Sequence, residues 1–455
     1  MALIATNPTD GQTIAEYPEA SSLEVEEGIR TAHEVHLDWR RTPFTQRAEL
    51  MLNAASILRA RAREFGELMT LEMGKPVMGG VSEAEKCAWV CEYYAENAQD
   101  FLADREVKTD ASRSFITFQP MGVVLAVMPW NFPFWQVFRF AAPNLMAGNA
   151  GLLKHASNVP GCALAIEEIF REAGFPEGLF RTLLIPGSRV GGVIENPLVR
   201  GVTLTGSTPA GRAVAAKSGE MLKKTVLELG GSDPYVILED ADLESAASTC
   251  ATARLINSGQ SCIAAKRFIV VEKVRQAFEE RFVAAMAAGR MGDPMDEDTV
   301  VGPQARVDLR DELHDQVVRS VEAGARCILG GEVPAGPGAY YPPTVLTDVV
   351  PGMPAYSEEL FGPVASIIPV GGEEEALRVA NDSCFGLGAA VFTRDLEKGA
   401  RIAREELEAG ACFVNAFVRS DPRLPFGGVK ESGYGRELSP FGILEFVNVK
   451  TVWVA

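Results

Sequence analysis

Apolar residues recur at every third or fourth position in three segments near the start of the chain, with charged residues between them. The segments cover residues 22–40, 45–73 and 81–102. Spacing of this kind is typical of amphipathic helices that bury one face. Residues 104–119 have a different pattern, in which Phe115, Thr117 and Gln119 alternate with other side chains. We expect a strand or a hairpin there that stands off the main body.

A stretch almost without charge follows from residue 121 to residue 153, and Arg139 is its single charged residue. Three prolines and Asn131 argue against a membrane-spanning helix, because they break the helix or require the desolvation of a polar group. We therefore predict a buried strand over residues 123–128, a tight turn at the sequence PWNFP, and a buried helix after the turn.

Short apolar runs then alternate with helical patterns, such as those at residues 160–173 and 243–255. The runs cover residues 151–153, 182–185, 202–205, 225–229, 235–238 and 268–271. This alternation predicts an α/β fold with parallel sheets in doubly wound domains, where ligands bind at the carboxyl ends of the strands. Residues 334–362 are rich in proline and glycine and predict loops, whereas residues 446–454 predict a short strand.

The composition narrows the class of protein. A chain of 455 residues, of which 47% are hydrophobic, is long and apolar enough for about three domains with sizeable cores. Its formal net charge of −18 argues against a nucleic-acid partner, which would favour basic surfaces. The N-terminal segment has no basic region followed by an apolar one, so we predict no secretory signal.

Eight cysteines are spread along the chain, and no two are separated by two residues. This spacing argues against a disulfide scaffold and against a zinc ribbon. Cys87 and Cys91 are four positions apart and predict two residues on one helix face, and the four histidines add no ligand cluster beside them. We therefore expect no metal site and a reducing, cytoplasmic location.

The sequence NSGQSCIAAKR at residues 257–267 places Cys262 after a flexible glycine, with no acidic residue close by. A cysteine acts as a nucleophile only as its thiolate, which electropositive surroundings and backbone N–H groups stabilise. We therefore consider Cys262 a candidate nucleophile, held in a loop or at the start of a helix. The alternative is a small buried core residue, because an unpaired cysteine is commonly buried.

Three more polar side chains lie in apolar surroundings. Glu228 lies in the strand-like TVLELGG, where desolvation is expected to raise its pKa toward the value that suits a general base near neutral pH. The Asn131 amide in the PWNFP turn is either an oxyanion donor or a turn former. Arg139 must find an anion, which either an internal carboxylate or the substrate supplies, because an unpaired buried charge is costly.

Two further segments are candidates for contacts with phosphate or ribose. The sequence GSTPAG at residues 206–211 lies between an apolar strand and a helix, where backbone N–H groups can bind phosphate, although an ordinary turn explains it equally well. Lys154 ends a strand and Ser157 follows it, so the pair is either a ribose or phosphate site or part of a solvated loop. The glycine-punctuated segments 357–364 and 424–437 by themselves indicate only loops.

Six motifs occur in an order that resembles the aldehyde dehydrogenase superfamily over essentially the whole chain. They are PWNFP around Asn131, LTGS at 204–207, LELGG around Glu228, GQSC around Cys262, ELFGPV at 359–364 and PFGG at 425–428. The resemblance implies two doubly wound, Rossmann-like domains with a small β arm for oligomerisation. The implied boundaries are residues 1–103 and 121–229 for nicotinamide binding, 230–430 for catalysis, and 104–120 and 440–455 for the arm.

The resemblance also implies a mechanism. The Cys262 thiolate would attack an aldehyde carbonyl, and the oxyanion would bind between the Asn131 amide and the Cys262 N–H. Hydride transfer to the nicotinamide would leave a thioester, and Glu228 would activate the water that hydrolyses it. Glu359 would bind the nicotinamide ribose and Phe361 would flank the ring. The full implied cofactor-binding set is Met128, Pro129, Trp130, Lys154, Ala156, Ser157, Gly187, Gly206, Ser207, Leu229, Glu359 and Phe361.

Within the superfamily, PWNFPFWQVFRF and RSDPRLPFGG are most similar to bacterial succinate-semialdehyde dehydrogenases. This similarity implies a small aldehyde that carries a carboxylate, with Arg139 as its clamp, Trp135 lining the pocket and Ser420 assisting. Many such enzymes have a second substrate arginine where this chain has Ile256, and a second cysteine where it has Ala264. Another acidic semialdehyde, such as glutarate semialdehyde, and a broader range of aliphatic aldehydes are alternative substrates.

We expect the cofactor to be NADP in preference to NAD, with NAD as the alternative. NAD-preferring relatives commonly have a glutamate at the position of Ser157, and a carboxylate there would repel a 2′-phosphate. Ser157 is small and neutral, and Lys154 supplies positive charge nearby. The resemblance further implies a homodimer or homotetramer, with no nucleic-acid or membrane partner.

Overall fold

The computed structural model describes residues 2–455, and its elements alternate between strands and helices along most of the chain. The strands are β1 (Ala2–Thr6), β2 (Thr13–Pro18), β3 (Arg105–Glu106), β4 (Arg113–Pro120), β5 (Val123–Met128), β6 (Ala150–His155), β7 (Phe180–Thr182), β8 (Val199–Thr205), β9 (Lys224–Glu228), β10 (Pro234–Ile237), β11 (Arg267–Val271), β12 (Arg326–Leu329), β13 (Thr344–Thr347), β14 (Val364–Val370), β15 (Phe385–Gly386), β16 (Gly388–Phe392), β17 (Ala411–Val414), β18 (Val429–Lys430), β19 (Gly433–Tyr434) and β20 (Val447–Val454).

The α-helices vary from one turn to seven turns in length. They are α1 (Ser22–Trp39), α2 (Phe44–Ala60), α3 (Ala62–Met73), α4 (Val77–Phe101), α5 (Trp135–Met146), α6 (Pro160–Glu172), α7 (Val190–Glu195), α8 (Thr208–Glu220), α9 (Leu243–Leu255), α10 (Glu272–Ala287), α11 (Val307–Glu322), α12 (Pro354–Ser357), α13 (Glu373–Asn381), α14 (Leu396–Glu405) and α15 (Ser439–Leu444). Short 3-10 turns occur at Gly187–Arg189 and Ile256–Gly259.

The helices predicted near the start of the chain are confirmed, except that the second is divided into α2 and α3. The division lies at Arg61, whose backbone angles (φ −111°, ψ 19°) leave the helical region. Leu58 and Phe65, on either side of it, are both buried in the same core. The apolar spacing therefore continues across the break, which is why the sequence pattern did not reveal it.

A six-stranded sheet in the order β19-β9-β8-β5-β6-β7 forms the first doubly wound unit. Its strands are parallel, except for β19, which pairs antiparallel with β9. Parallel pairing brings the carboxyl ends of the strands to one edge of the sheet. Met128, Lys154, Thr205 and Glu228 therefore lie along that edge, each at or beside the end of its strand.

A seven-stranded sheet in the order β12-β13-β14-β11-β10-β16-β17 forms the second doubly wound unit, with β12 antiparallel to β13. Its central strand β11 is buried along its whole length. Phe268 and Val270 pack in the core formed with α9 and α10. Ile269 and Val271 pack in the opposite core, formed with α11 and α13. This alternation shows helices on both faces of the sheet, so the predicted α/β fold is confirmed.

The loop predicted for residues 334–362 is wrong in part, because β13 and α12 lie within it. All four residues of β13 are buried, and the strand pairs in parallel with β14. The strand was hidden because four β-prone residues between prolines and glycines are too few to show a period.

A separate three-stranded antiparallel sheet has the order β20-β4-β3, and we call it the arm sheet. Strands β4 and β20 pair along their full lengths, so the strand predicted at residues 104–119 also pairs with the last strand. Val449 and Trp453 of β20 are 59% and 52% exposed. Residues 440–444, where the predicted arm begins again, lie in α15, which packs against α4 and α5. The domain boundaries remain predictions.

Candidate active site

Cys262 lies in a loop that follows the 3-10 turn after α9. The sequence predicted either a loop or the start of a helix, and the structure shows the loop. Asn257 and Ser258 have left-handed backbones, with φ of 54° and 56°, and they turn the chain sharply. Gly259 also has positive φ, and a Cβ on it would lie 2.2 Å from the carbonyl carbon of Gly362. Glycine is therefore required there for the loop to pack against the neighbouring segment.

Two buried lysines hold this loop in place. The Nζ atom of Lys266 donates to the carbonyl oxygen of Cys262 at 2.9 Å. The Nζ atom of Lys75 donates to Asn257 Oδ1 at 2.6 Å and to the carbonyl oxygen of Asn131 at 3.0 Å. Lys75 therefore ties the loop of Cys262 to the turn that carries Asn131.

Asn131 is buried in the turn after β5, and its side chain is directed at the loop of Cys262. Its Nδ2 donates to the carbonyl oxygen of Gln260 at 3.1 Å. Among the hydrogen bonds of residues 2–455, the Cys262 N–H donates to no acceptor. The Asn131 amide, on the turn after β5, and the Cys262 N–H, on the neighbouring loop, are therefore two hydrogen-bond donors on the segments that meet at the thiol.

Glu228 ends β9 and is only 2% exposed. Burial raises the pKa of Glu228 to about 8, although the Arg139 guanidinium opposes the rise. The Nη2 atom of Arg139 lies 3.9 Å from Glu228 Oε2. The raised pKa predicted for this carboxyl is confirmed, and it suits a group that accepts a proton near neutral pH.

Arg139 is paired inside the protein. Its Nε atom forms an ion pair with the Glu437 carboxylate, and its Nη2 donates to Thr205 Oγ1 at 3.2 Å. An internal carboxylate thus balances the charge, which is one of the two alternatives that the sequence left open. This geometry does not support the predicted role of Arg139 as the clamp for a substrate carboxylate.

Glu437 is a member of the site that the sequence did not indicate. The residue closes the segment 424–437, which by itself indicated only a loop. In the structure Glu437 exchanges two backbone hydrogen bonds with Phe426, and this pairing holds its side chain against Arg139. The one available signal was an acidic residue that directly follows an arginine in a glycine-rich turn.

The expectation that electropositive surroundings lower the pKa of the Cys262 thiol is wrong. Desolvation raises the pKa of Cys262 to about 12, and the nearby Glu228 carboxylate adds to the rise. Arg139 and Lys266 lower the pKa by smaller amounts. The thiol is therefore mainly protonated at neutral pH, and its thiolate is a minor form.

Two cavities meet at Cys262. The first, which we call the substrate-side cavity, has a volume of about 770 Å³ and is lined by residues that include Lys86, Phe132, Trp135, Arg139, Ile256, Ser420 and Phe426. The second, which we call the cofactor-side cavity, has a volume of about 600 Å³ and includes Asn131 in its wall. A thiol in this position can react with a molecule in one cavity while a second molecule occupies the other.

The sequence model described as "Aldehyde dehydrogenase family" matches residues 2–452. This chain belongs to the aldehyde dehydrogenase family. A relative from Synechocystis, named probable succinate-semialdehyde dehydrogenase [NADP(+)], is 53% identical over 455 residues and is covered completely, as is this chain. Succinate-semialdehyde dehydrogenase [NADP(+)] 1 of Mycobacterium tuberculosis is 50% identical over 458 residues, again with complete coverage of both chains.

A solved structure agrees with these relatives. The succinic semialdehyde dehydrogenase of Streptococcus pyogenes, solved in complex with NADP+, superimposes with a TM-score of 0.97 at 37% identity and with complete coverage of both chains.

Within residues 2–455 no group of three or more His, Cys, Asp or Glu side chains is arranged to bind a metal ion. No helix in the same range is long and apolar enough to cross a membrane.

Many of the predicted cofactor-binding residues of this aldehyde dehydrogenase line the cofactor-side cavity. They are Pro129, Trp130, Gly206, Ser207, Leu229, Glu359 and Phe361. The rings of Trp130 and Phe361 meet edge to face, with 5.7 Å between their centroids. The Oε1 atom of Glu359 accepts a hydrogen bond from the Gly231 N–H at 3.0 Å and lies 3.4 Å from Lys266 Nζ.

The other predicted cofactor-binding residues lie outside that cavity. They are Met128, Lys154, Ala156, Ser157 and Gly187. Lys154 and Ser157 lie at the carboxyl end of β6, beside the end of β5, where Ser157 is exposed. Burial lowers the pKa of Lys154, and no charged group of residues 2–455 contributes to that shift. An ammonium without a counterion, three residues before an exposed hydroxyl, fits the 2′-phosphate of NADP.

The cofactor-side cavity also contains residues outside the predicted cofactor-binding set. Thr205 and Phe385 line it, and Gly230 lies opposite Glu359. A Cβ on Gly230 would lie 2.4 Å from Glu359 Oε2, so only glycine lets that carboxylate approach the strand end. Strand ends and loops far apart in sequence assemble this wall, and no local pattern indicates their proximity.

Proposed function

We propose that this chain oxidises succinate semialdehyde to succinate, with NADP+ as the preferred hydride acceptor. The observation that carries the proposal is that Cys262 lines both cavities, with the Glu228 carboxyl close enough to raise the pKa of the thiol. The names of the Synechocystis and Mycobacterium tuberculosis relatives supply the substrate and the cofactor. Residues that line the two cavities, together with Glu228 beside them, give each step a side chain that suits it.

The first half of the reaction forms a thioester. Cys262 loses its proton to solvent, and Arg139 and Lys266 favour the resulting thiolate. The thiolate sulfur bonds to the aldehyde carbon, and the oxyanion accepts hydrogen bonds from the Asn131 Nδ2 and the Cys262 N–H. When bound, NADP+ accepts the hydride that leaves this carbon, so that a thioester to Cys262 remains.

The second half of the reaction hydrolyses the thioester. Glu228 in its carboxylate form takes a proton from a water molecule, whose oxygen bonds to the thioester carbon. The C–S bond then breaks, which regenerates Cys262 and releases the carboxylic acid. Arg139 and Glu437 position Glu228, because the guanidinium lies between the two carboxylates. The net reaction converts the aldehyde, water and NADP+ to the carboxylate, NADPH and two protons.

The cofactor would be held by groups on the edge of the six-stranded sheet and by the segment that leads into β14 of the seven-stranded sheet. Glu359 would accept hydrogen bonds from the nicotinamide ribose, and Phe361 would flank the ring. Lys154 and Ser157 would bind the 2′-phosphate, one as a point charge and the other as a hydrogen-bond donor. The complex of the Streptococcus pyogenes enzyme with NADP+, at 37% identity, supports this choice of cofactor.

We also propose that copies of the chain associate through the arm sheet, and that the enzyme works in the cytoplasm. The exposed Val449 and Trp453 support the interface, because large apolar side chains on one face of a sheet favour a partner. We further propose domain boundaries at residues 103, 120 and 229, which the changes from helices to arm sheet and from the first sheet to the second support.

The purified enzyme tests the proposal directly. Initial rates with succinate semialdehyde, glutarate semialdehyde and butanal, each with NADP+ and with NAD+, give six values of kcat/KM. The absorbance of the reduced cofactor measures each rate. We expect the highest kcat/KM for succinate semialdehyde with NADP+. A higher kcat/KM for butanal than for succinate semialdehyde would contradict the proposed substrate. A higher kcat/KM with NAD+ than with NADP+ would contradict the proposed cofactor.

A further inference from the structure

The substrate-side cavity contains one half-buried cation, Lys86, that forms no ion pair with a carboxylate. Lys86 of α4 lines the cavity, and within residues 2–455 no Asp or Glu oxygen lies within 4 Å of its Nζ atom. The other buried cations of the wall are paired. Lys75 lies 2.9 Å from Glu83, and Arg139 forms its ion pair with Glu437. Lys86 therefore differs from its neighbours in having an open charge.

The ammonium of Lys86 is nevertheless held in a defined position. Its Nζ donates to Ser420 Oγ at 2.8 Å and lies 4.3 Å from the ring centroid of Trp135. Burial lowers the pKa of Lys86 to about 8, and the positive charge of Arg139 adds to the lowering, whereas the more distant carboxylates of Glu83 and Asp421 oppose it by smaller amounts. A hydroxyl and an aromatic face compensate an ammonium only in part, so an anion that reaches this point gains a favourable interaction.

The wall of the cavity offers Lys86 no internal anion. Glu83 is the one acidic residue that lines the cavity among residues 2–455, and both of its carboxylate oxygens are occupied. Glu83 Oε2 faces Lys75, whereas Oε1 accepts hydrogen bonds from the N–H groups of Phe134 and Trp135, both at 2.9 Å. No carboxylate of the wall is therefore placed to pair directly with Lys86, and that position is open to the anion of a molecule in the cavity.

The remaining surface of the cavity explains why that molecule has its charge at one end. Phe132, Ile256 and Phe426 are among the lining residues and suit a short hydrocarbon segment, while Cys262 lies in the same wall and receives the aldehyde. A chain with an aldehyde at one end and a carboxylate at the other matches this arrangement. Arg419 also lines the cavity but is exposed, so solvent screens its charge.

We propose that Lys86, positioned by Ser420 and Trp135, binds the substrate carboxylate and determines the preference for acidic aldehydes. The proposal rests on the function proposed above and assigns the carboxylate to Lys86 in place of Arg139. It requires no redox or covalent step at Lys86, because the ammonium donates hydrogen bonds to the carboxylate and keeps its protons.

The test compares Lys86→Met, Lys86→Arg and the wild type with succinate semialdehyde and with butanal, a neutral aldehyde of equal length. Methionine keeps most of the length of the side chain but has no charge. Lys273→Met is the matched control, because Lys273 is 73% exposed and pairs only with Glu239. We expect K86M to lower the ratio of the two kcat/KM values roughly 10- to 100-fold, since a hydrogen bond to a charged group is lost.

The loss is expected in KM for the semialdehyde and in the affinity for succinate, which isothermal titration measures without turnover. K86R should retain more of the ratio than K86M, because its guanidinium keeps the charge. K273M should leave the ratio unchanged. The NADP+ affinity and the melting temperature of each variant show whether its fold is intact, and Lys86→Gln replaces K86M should methionine unfold the chain.

The outcomes separate this inference from the proposed function. A wild type that shows no preference for succinate semialdehyde over butanal overturns the proposed function and this inference together. A wild type with the preference, combined with a K86M variant that keeps it, overturns only the role of Lys86. Equal losses for both aldehydes in K86M, with an unchanged succinate affinity, would also overturn it, since they show that Lys86 only shapes the wall.

Discussion

At the scale of single residues, burial is the main influence on the ionisation of the groups around the thiol. It raises the pKa of Glu228 to about 8 and that of Cys262 to about 12, and it lowers that of Lys86 to about 8. In each case the charged neighbours have smaller effects. At a pH near 8 the thiol of Cys262 is therefore neutral, the carboxyl of Glu228 is about half ionised, and the amine of Lys86 is partly charged.

Replacement of Glu228 by glutamine is expected to block hydrolysis of the thioester while its formation continues. Removal of the carboxylate also removes a contribution that raises the pKa of Cys262, so thiolate formation should not suffer. In rapid mixing with saturating aldehyde, the Glu228→Gln variant should release one equivalent of NADPH per site and then turn over slowly. Loss of this burst would mean that Glu228 acts before the hydride leaves.

In the wild-type enzyme, the rate of thioester hydrolysis should depend on pH through Glu228. Below a pH of about 8 the carboxyl is mainly protonated and cannot accept a proton from water, so the rate is expected to rise about tenfold per pH unit and then level off. Butanal is the suitable substrate, because it has no carboxylate and its rate does not report the charge on Lys86. A flat profile over the range from roughly pH 6 to roughly pH 9, which brackets this pKa, would contradict the role of Glu228.

At the scale of elements, backbone conformation and sheet edges decide where these side chains lie. The turn after α9 uses three successive residues with positive φ, namely Asn257, Ser258 and Gly259, to place Cys262 between the cavities. The parallel strands of the first sheet place Lys154 and Glu228 along one edge. Each arrangement depends on contacts between segments that are distant in sequence.

Gly259→Ala is expected to lower both stability and activity. A left-handed alanine costs about 1–2 kcal/mol, and the new Cβ would also collide with Gly362 and displace the loop of Cys262. Gly352→Ala is the matched control, because Gly352 also has positive φ but has no atom within 4 Å of the added Cβ. Thermal unfolding should show losses in both variants, whereas kcat should fall only in Gly259→Ala. Equal kcat values for the two variants would show that the loop tolerates displacement.

Ser157→Glu is expected to shift the cofactor preference from NADP toward NAD. The new carboxylate would repel the 2′-phosphate and could accept hydrogen bonds from the ribose hydroxyls of NAD. Ser157→Gln has the same size without the charge, so it separates repulsion from crowding. The measurement is the ratio of kcat/KM with NADP+ to kcat/KM with NAD+. An unchanged ratio in Ser157→Glu would show that this residue does not contact the 2′-phosphate.

At the scale of the whole molecule, two doubly wound sheets enclose the site and the arm sheet stands apart from them. Val449 and Trp453 are on the same face of β20, because side chains four positions apart in a strand point the same way. Nothing in residues 2–455 covers them fully. This face is therefore the part of the molecule that is best suited to contact a second copy.

The double variant Val449→Lys, Trp453→Lys is expected to give a smaller assembly than the wild type. Charges on an apolar interface must be desolvated without partners, which disfavours association. Light scattering after size exclusion measures the mass, with Lys450→Ala on the opposite face of the strand as the control. The same mass for the double variant and the wild type would show that another surface holds the copies together.

The sequence by itself determined the fold class and most of the strands and helices, and it indicated Cys262, Glu228 and Asn131 as candidates for catalysis. Local spacing of apolar residues encodes which face is buried, and the motifs around these residues identify the family. Only the tertiary structure decided that Glu437 pairs with Arg139, and that Lys86 meets Trp135 and Ser420 without a carboxylate. The reason is that the packing of α4, α5 and the C-terminal loops brings these side chains together, and no pattern within any one segment records that contact.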